Sequence, residues 1–470
     1  MPLVAGVDSS TQSTKVEVRD ADSGKLVASG HAAHPGVTPP TSEQHPSSWW
    51  SAFELAWSQA MTAAGSPTVA AISIAGQQHG MVTLDADGTV IRPAKLWNDT
   101  TTAPDAGWLL GQLPGGAPGW AQACGSVPTA AFTISKLSWL HRTEPENWER
   151  LARVCLPHDW LTLQLTGGFV TDRGDASGTG YWSPGDGRYR YDLLALVDPT
   201  RDWSDVLPTV CDPIEVAGEW NGATVGPGTG DNMAAALGIG VEPGEVVMSI
   251  GTSGTVFTVS DEPCADPSGA VAGFADATGR FLPLVCTLNA AKVTDAIGRV
   301  LGVDNAGLDT LALAGPPGAG GLVLLPYLDG ERTPNRPTAT GVLSGLRSDV
   351  SREQFARAGF EGVICGMLDA LDALAHHARL ESDKIRLVGG GARSAAYRQI
   401  LADLSGRSVV TSDVGEAVAT GACVQAAAVL HRRGPSDVRS GWTIGTTEVT
   451  EPSASRHADE VRGAYAASRG

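Results

Sequence analysis

Two segments about half a chain apart carry one pattern, and it constrains the fold more than any other feature. Val4-Ala5-Gly6-Val7-Asp8-Ser9-Ser10-Thr11 and Val247-Met248-Ser249-Ile250-Gly251-Thr252-Ser253-Gly254 are each an apolar strand that enters a tight Gly/Ser/Thr turn. Both then run straight back into an alternating strand. Repetition at that distance predicts two related domains. A chain of 470 residues is long enough for two or more domains of ~100–200 residues each. We place the boundary near residue 240, giving domains 1–240 and 241–470.

Around that repeat, strands and helices alternate. Apolar and alternating runs at 3–7, 14–19 and 25–29 predict a strand meander. Trp50, Phe53, Ala56, Trp57 and Met61 recur at helical spacing and predict a helix over 47–64. Strands are expected at 69–75, 81–84 and 90–92, and a loop at 219–230. A helix over 231–237 follows, opened by Asp231 as its cap. In the second half, helices are expected over 353–379 and 417–430, with a strand at 385–388. This order indicates an α/β class.

Charge and cysteine content exclude several functions. Lys+Arg number 33 against Asp+Glu 51, a net charge of −18, with no basic run suited to a phosphate backbone. Nucleic acid is therefore not an expected partner, although backbone N–H groups can hold a small anion without net positive charge. No apolar stretch approaches the ~18–20 residues of a membrane span. The start, Met1 to Asp8, lacks the basic region of a signal peptide. Seven scattered cysteines without a C-x-x-C pair read as free thiols of a reducing cytoplasm. The P-loop, dinucleotide, zincin and nucleophile-elbow signatures are missing.

The two turns offer the short donors and close backbone approach that phosphate oxygens need. Ser9, Ser10, Thr11, Ser13, Thr14 and Lys15 supply them in the first, and Gly251, Thr252, Ser253 and Gly254 in the second. Each turn by itself could serve turn propensity alone. Set at corresponding places in two halves, they point to a triphosphate. Asp8 ends a buried-looking strand, where a charge needs a cation or donors, and a hydrated Mg²⁺ suits it. Asp231 is either a cap, a base or both. Gly389-Gly390-Gly391 passes flat between strand and helix, as a ligand contact or as a tight turn. Gly76-Gln77-Gln78-His79-Gly80 and Trp97-Asn98-Asp99 combine amide, imidazole and aromatic groups suited to sugar hydroxyls.

Together these segments resemble the FGGY carbohydrate kinases, most closely their xylulokinase branch, over about residues 3 to 430. Val7 to Lys15 resembles the first phosphate motif, and Ile74 to Met81 the segment that distinguishes xylulokinases; glycerol kinases carry an Arg-Glu pair there. Leu96 to Asp99, Thr171-Asp172 with Asp175-Ala176-Ser177-Gly178, and Gly330-Glu331-Arg332-Thr333-Pro334 match further family segments. Gly228-Thr229-Gly230-Asp231-Asn232 is similar to the catalytic segment, Gly251 to Thr255 to the second phosphate motif, and Gly389 to Ser394 to the adenosine motif. One position departs: the family usually carries Arg two places after Asp99, where this chain has Thr101.

The resemblance implies two actin-like, ribonuclease H-like ATPase domains flanking a central cleft. It implies ATP-dependent phosphorylation of D-xylulose, with Asp231 as general base and Asp8 and Asp231 as Mg²⁺ ligands. Sugar contacts would come from Gln78, His79, Trp97, Asn98 and Asp231. ATP contacts would come from Thr11, Gln12, Ser13, Lys15, Gly251, Thr252, Gly390, Gly391 and Ser394. The expected partners are a small sugar and MgATP, and a homodimer is compatible with the family. A kinase for ribulose, ribitol or glycerol is the near alternative. A non-catalytic, ATP-gated clamp of the actin or chaperone kind is the distant one, but the roughly 40 residues after 430 are too few for a peptide-binding appendage.

Overall fold

The computed structural model describes residues 1–412, 414–445, 447–453 and 457–469. Two compact units divide the chain. The N-terminal unit holds Met1–Val241, Asp261–Leu282 and Val414–Gly445, and the C-terminal unit holds the rest.

In the N-terminal unit, β1 (Leu3–Ser9), β2 (Ser13–Asp20) and β3 (Leu26–Ala33) form the antiparallel meander. Helix α1 (Pro46–Ala63) follows, then β4 (Val69–Gly76), which pairs parallel with β1, and β5 (Val82–Leu84). Further along come α2 (Pro157–Thr166) and the strands β6 (Gly218–Trp220), β7 (Ala223–Val225) and β8 (Thr229–Gly230). Helix α3 (Asp231–Ile239) closes this stretch. The sheet runs β6-β7-β4-β1-β2-β3, with β8 on the far end of β4. Register sets Val7 opposite Val16 and Asp8 opposite Lys15. Ala5, Val7, Val16 and Val18 pack with Trp49, Phe53, Ala56 and Ala60 of α1 and with Trp160 and Leu161 of α2. That single apolar cluster holds β1 rigid up to Asp8.

The C-terminal unit repeats the plan. β9 (Val246–Ile250) pairs antiparallel with β10 (Gly254–Phe257), which pairs with β11 (Phe281–Thr287). After the 24-residue helix α4 (Arg352–Ala375), β12 (Lys384–Val388) joins β9 in parallel. Helix α5 (Ala395–Ser405) leads to β13 (Ser408–Ser412), parallel to β12, and β14 (Thr447–Thr450) pairs antiparallel with β13. The order β11-β10-β9-β12-β13 matches β3-β2-β1-β4-β7 strand for strand and direction for direction. The repeat seen in the sequence is thus a repeat of topology. These are the mixed sheets of two actin-like, ribonuclease H-like domains.

Between β13 and β14 the chain returns to the first unit as α6 (Ala417–His431), which lies against the open face of β1. The approach requires Gly6: a Cβ there would stand 2.1 Å from the Ala419 carbonyl oxygen and 2.4 Å from the Cys423 nitrogen. A buried ion pair, Glu17 with Arg19 at 2.8 Å, meets Thr420 of α6 at 3.0 Å from each partner.

Three local expectations are corrected. Residues 90–92 form no strand, because only Val90 bridges to Leu84 and Pro93 follows at once, without a donor for a ladder. Residues 219–230 are not a loop; two-residue turn Asn221-Gly222 folds β6 back on β7, and β8 adds to β4. Asp231 does not cap α3: Gly230 is the cap residue and Asp231 is the first helical residue. All seven cysteines are free. Among the described residues no helix is long and apolar enough to cross a membrane.

Candidate active site

The turn Gly76-Gln77-Gln78-His79-Gly80 leaves β4 and enters β5 with His79 at φ +63°, a left-handed conformation that a non-glycine residue adopts at a cost. Its ring stacks on Phe132, centroids 5.3 Å apart and planes 14° apart. On the other side the ring rests on Gly178, where a Cβ would come within 1.8 Å of it. Asp175 holds the turn from below, its Oδ1 accepting from the His79 N–H at 3.4 Å.

Gln78 ties this turn to the start of α3. Asn232 Nδ2 donates to Gln78 Oε1 at 2.7 Å and to Asp231 Oδ1 at 3.0 Å, and the Asn232 N–H donates to the same Oδ1 at 2.8 Å. Thr11 ties in the turn between β1 and β2, accepting from Trp97 Nε1 at 2.9 Å and donating to Gln77 Oε1 at 3.0 Å. The structure therefore brings Thr11 and Trp97 to Gln77, and Asp231 through Asn232 to Gln78, on the same turn that carries His79. Several buried polar atoms of these segments have no hydrogen-bond partner among the described residues: Gln77 Nε2, Gln78 Nε2, Asn98 Oδ1 and Asp8 Oδ1. Buried polar groups normally find partners, and a cluster without them fits a polar ligand.

Asp8 stands at the end of β1 with only 3% of its surface exposed. Burial pushes its carboxyl up to about 7; Lys15 opposes this, while Asp231 and Glu416 add to it. Burial likewise raises Asp231 to about 6 against the two bonds from Asn232. Lys15 Nζ sits 3.7 Å from Asp8 Oδ2 and 2.5 Å from Glu416 Oε2, so its charge is already shared between carboxylates. Two crowded carboxylates, one with an orphaned oxygen, suit a divalent cation. Among the described residues no group of three or more His, Cys, Asp or Glu side chains is arranged to hold a metal ion by itself. A cation here must complete its shell with phosphate and water, the mode Mg²⁺ favours.

The remaining first-turn residues play different parts. Gln12 is exposed, and its carbonyl accepts from the His34 N–H at 2.7 Å. Ser13 is buried, and its carbonyl closes the turn onto the Ser10 N–H at 3.1 Å.

In the C-terminal unit, a separate pocket of about 420 Å³ is lined by Gly251, Thr252, Gly390, Gly391 and Ser394. Gly389 and Gly391 lie flat on the end of β9, where a Cβ would come within 2.7 Å of the Ile250 carbonyl oxygen and 2.4 Å of the Ile250 side chain. Ser394 caps α5, accepting from the Tyr397 N–H at 3.1 Å and donating to Asp309 Oδ1 at 2.6 Å. That hydroxyl is committed to the protein, which leaves Ser394 to line the pocket by shape. The expected nucleotide contacts thus divide between the two units.

Four residues had no signal in the sequence. Asp309 lines the pocket just described. Lys95 supplies a buried cation beside Thr101, 3.0 Å from Asp99 Oδ2 and 2.9 Å from Thr101 Oγ1, with its Nζ 4.0 Å above the Trp139 ring. A positive charge therefore reaches the segment after Asn98 from a different position. His158 and Asp159 sit behind the Gln77-Gln78-His79 turn in a cluster with Asp172 and Asp175.

Known families match the chain in both halves. Residues 3–238 match the N-terminal domain, and residues 246–430 the C-terminal domain, of the FGGY family of carbohydrate kinases. The chain belongs to the FGGY family of carbohydrate kinases. It is 46% identical over 461 residues to the xylulose kinase of Streptomyces coelicolor, covering 96% of this chain and 92% of that protein. Identity to the xylulose kinase of Escherichia coli is 36%, over 91% and 90% of the two chains. The crystal structure of xylulose kinase from Bifidobacterium adolescentis superposes with a TM-score of 0.87 at 41% identity, covering 100% of this chain and 99% of that one. As an FGGY kinase, the chain joins its Gln-Gln-His turn to its Gly-Thr-Gly-Asp segment through the next residue, Asn232, which donates to both Gln78 and Asp231.

Proposed function

We propose that this FGGY kinase transfers the γ-phosphoryl group of ATP to the C5 hydroxyl of D-xylulose, giving ADP and D-xylulose 5-phosphate. The observation that carries the reading is the bonded path from Asp231 through Asn232 to Gln78. It links a carboxylate able to take a proton to the turn best furnished for sugar hydroxyls. The xylulose kinases of Streptomyces coelicolor and Bifidobacterium adolescentis match this chain nearly end to end.

Phosphoryl transfer asks for positioning and charge stabilisation more than covalent chemistry. In the proposed reaction Asp231 Oδ2 accepts the hydroxyl proton as the oxygen attacks the γ-phosphorus in line and ADP leaves. Oδ1 is fixed by Asn232, so the carboxylate presents one defined edge. The orphaned amides of Gln77 and Gln78, the Asn98 carbonyl and the His79 ring orient the sugar, with Trp97 beside them. Gly251, Thr252, Gly390 and Gly391 line the pocket of the C-terminal unit that would receive the nucleotide. Asp8 and Asp231 would hold Mg²⁺, which when bound neutralises phosphate charge. The free cysteines suit the cytoplasm, where we place the reaction.

A coupled ADP-release assay over D-xylulose, ribulose, ribitol and glycerol tests the reading. D-xylulose is expected to give the highest kcat/KM. A polyol ahead of it would overturn the substrate while leaving a sugar kinase.

A further inference from the structure

Behind the sugar turn lies a charge cluster that no step of the proposed reaction uses. His158, on the first turn of α2, is fully buried. Its Nε2 stands 3.2 Å from Asp159 Oδ1, 3.3 Å from Asp172 Oδ1 and 3.3 Å from Asp175 Oδ2. All three carboxylates are themselves buried, with exposures of 2% or less. Left without a cation, three carboxylates so close would repel one another and spread. Burial pulls the imidazole down, but the neighbouring Asp159, Asp172 and Asp175 outweigh it and hold the ring protonated to higher pH than a free imidazole, while burial also pushes the Asp159 and Asp175 carboxyls up.

The cluster reaches the reacting segments by two routes. Asp172 Oδ2 accepts from Thr229 Oγ1 at 2.8 Å, two residues before Asp231. Asp175 Oδ1 accepts from the His79 N–H of the sugar turn. His158 also packs directly against both segments, its ring on one and its Cβ and backbone on the other. A Cβ at Gly228 would lie 2.6 Å from His158 Nδ1, and one at Gly76 would lie 3.0 Å from His158 Cβ. Gly228 opens the segment that carries Asp231, and Gly76 opens the turn that carries His79. A cluster serving stability alone has no need to end on both.

We infer that His158 is a positioning residue for phosphoryl transfer, setting Asp231 through Asp172 and Thr229 and setting His79 through Asp175. The inference rests on the reading of Asp231 as base and of the His79 turn as sugar contact. Loss of the cation lets both segments drift, and misplacement of about 1 Å can cost about 10²-fold in rate.

Steady-state kinetics and calorimetric sugar titration on the full-length protein test this. His158→Leu is expected to lower kcat and to raise the KM for D-xylulose, each by about tenfold or more. His158→Lys, which returns a cation to the same place, should bring both within about threefold of wild type. Thr229→Val cuts only the branch to Asp231, so it should lower kcat about tenfold with sugar affinity within about twofold. If His158→Leu does not fold, the Lys and Val variants decide. Thr229→Val at wild-type kcat while Asp231→Asn is inactive would overturn the positioning role alone. An active Asp231→Asn would overturn the base reading and this inference with it.

Discussion

Replacing Asp231 by Asn changes one atom of consequence. Oδ1 accepts both the N–H and the side-chain amide of Asn232, and an asparagine oxygen retains both bonds. The link through Asn232 to Gln78 therefore survives, and with it the sugar turn. What disappears is the proton-accepting Oδ2. General-base removal typically costs about 10²–10⁴-fold, or about 2.7–5.4 kcal/mol of transition-state stabilisation at about 1.36 kcal/mol per tenfold. Sugar affinity should stay within about threefold, since the lost interaction belongs to the transition state. Single-turnover kinetics beside calorimetric sugar titration separates the two. The pH profile adds a second reading. A carboxyl held near 6 is ionised, and so able to accept a proton, only above that value. Wild-type kcat should accordingly fall as the pH drops through about 6, and the residual rate of the variant should lack that limb. An Asp231→Asn variant that keeps more than about a tenth of wild-type kcat would refute the assignment.

Thr252→Val removes a hydroxyl from the C-terminal pocket yet keeps the carbonyl that accepts from Ala290 at 3.3 Å. The KM for MgATP should rise about three- to tenfold, the worth of one hydrogen bond, and movement of the sugar KM alone would put the triphosphate elsewhere. His79→Ala removes the ring stacked on Phe132. We expect kcat/KM for D-xylulose to fall by about 10–100-fold, because a polar site left unpaired discriminates strongly; an unchanged value in the same substrate panel would exclude the turn from sugar recognition. Gly6→Ala drives a methyl into the backbone of α6, which cannot swing aside as a side chain does. Overpacking of that kind costs about 1–3 kcal/mol or more, and thermal denaturation should show a clear fall in Tm; an unchanged Tm would mean that α6 does not press on β1 as described.

Much of this protein was legible along the chain because the information is local. The paired strand-turn-strand segments, the stripe of Trp50, Phe53 and Trp57 and the glycine run at 389–391 follow from periodicities of 2 and 3.6 and from turn chemistry. Those suffice for the class, the duplicated topology and the segments that carry the site. What failed was also local in cause. Strand periodicity over 90–92 could not foresee that the pairing stops at a single bridge from Val90 to Leu84, and a glycine-rich look over 219–230 hid a hairpin that borrows its order from β4. Asp231 reads as a cap by its neighbours, whereas in the fold Gly230 takes that place and frees the carboxylate. Other features exist only in three dimensions. Asn232 meets Gln78 across 154 residues of sequence, and Lys15 meets Glu416 across 401. His158 gathers Asp172 and Asp175 although nothing in its flanking residues announces them. Charge, burial and hydrogen-bond geometry at such sites are set by which surfaces the core brings together. A linear pattern carries no term for the distance between residues far apart along it, so the electrostatics of the site waited on the packing of β1, β4 and α6.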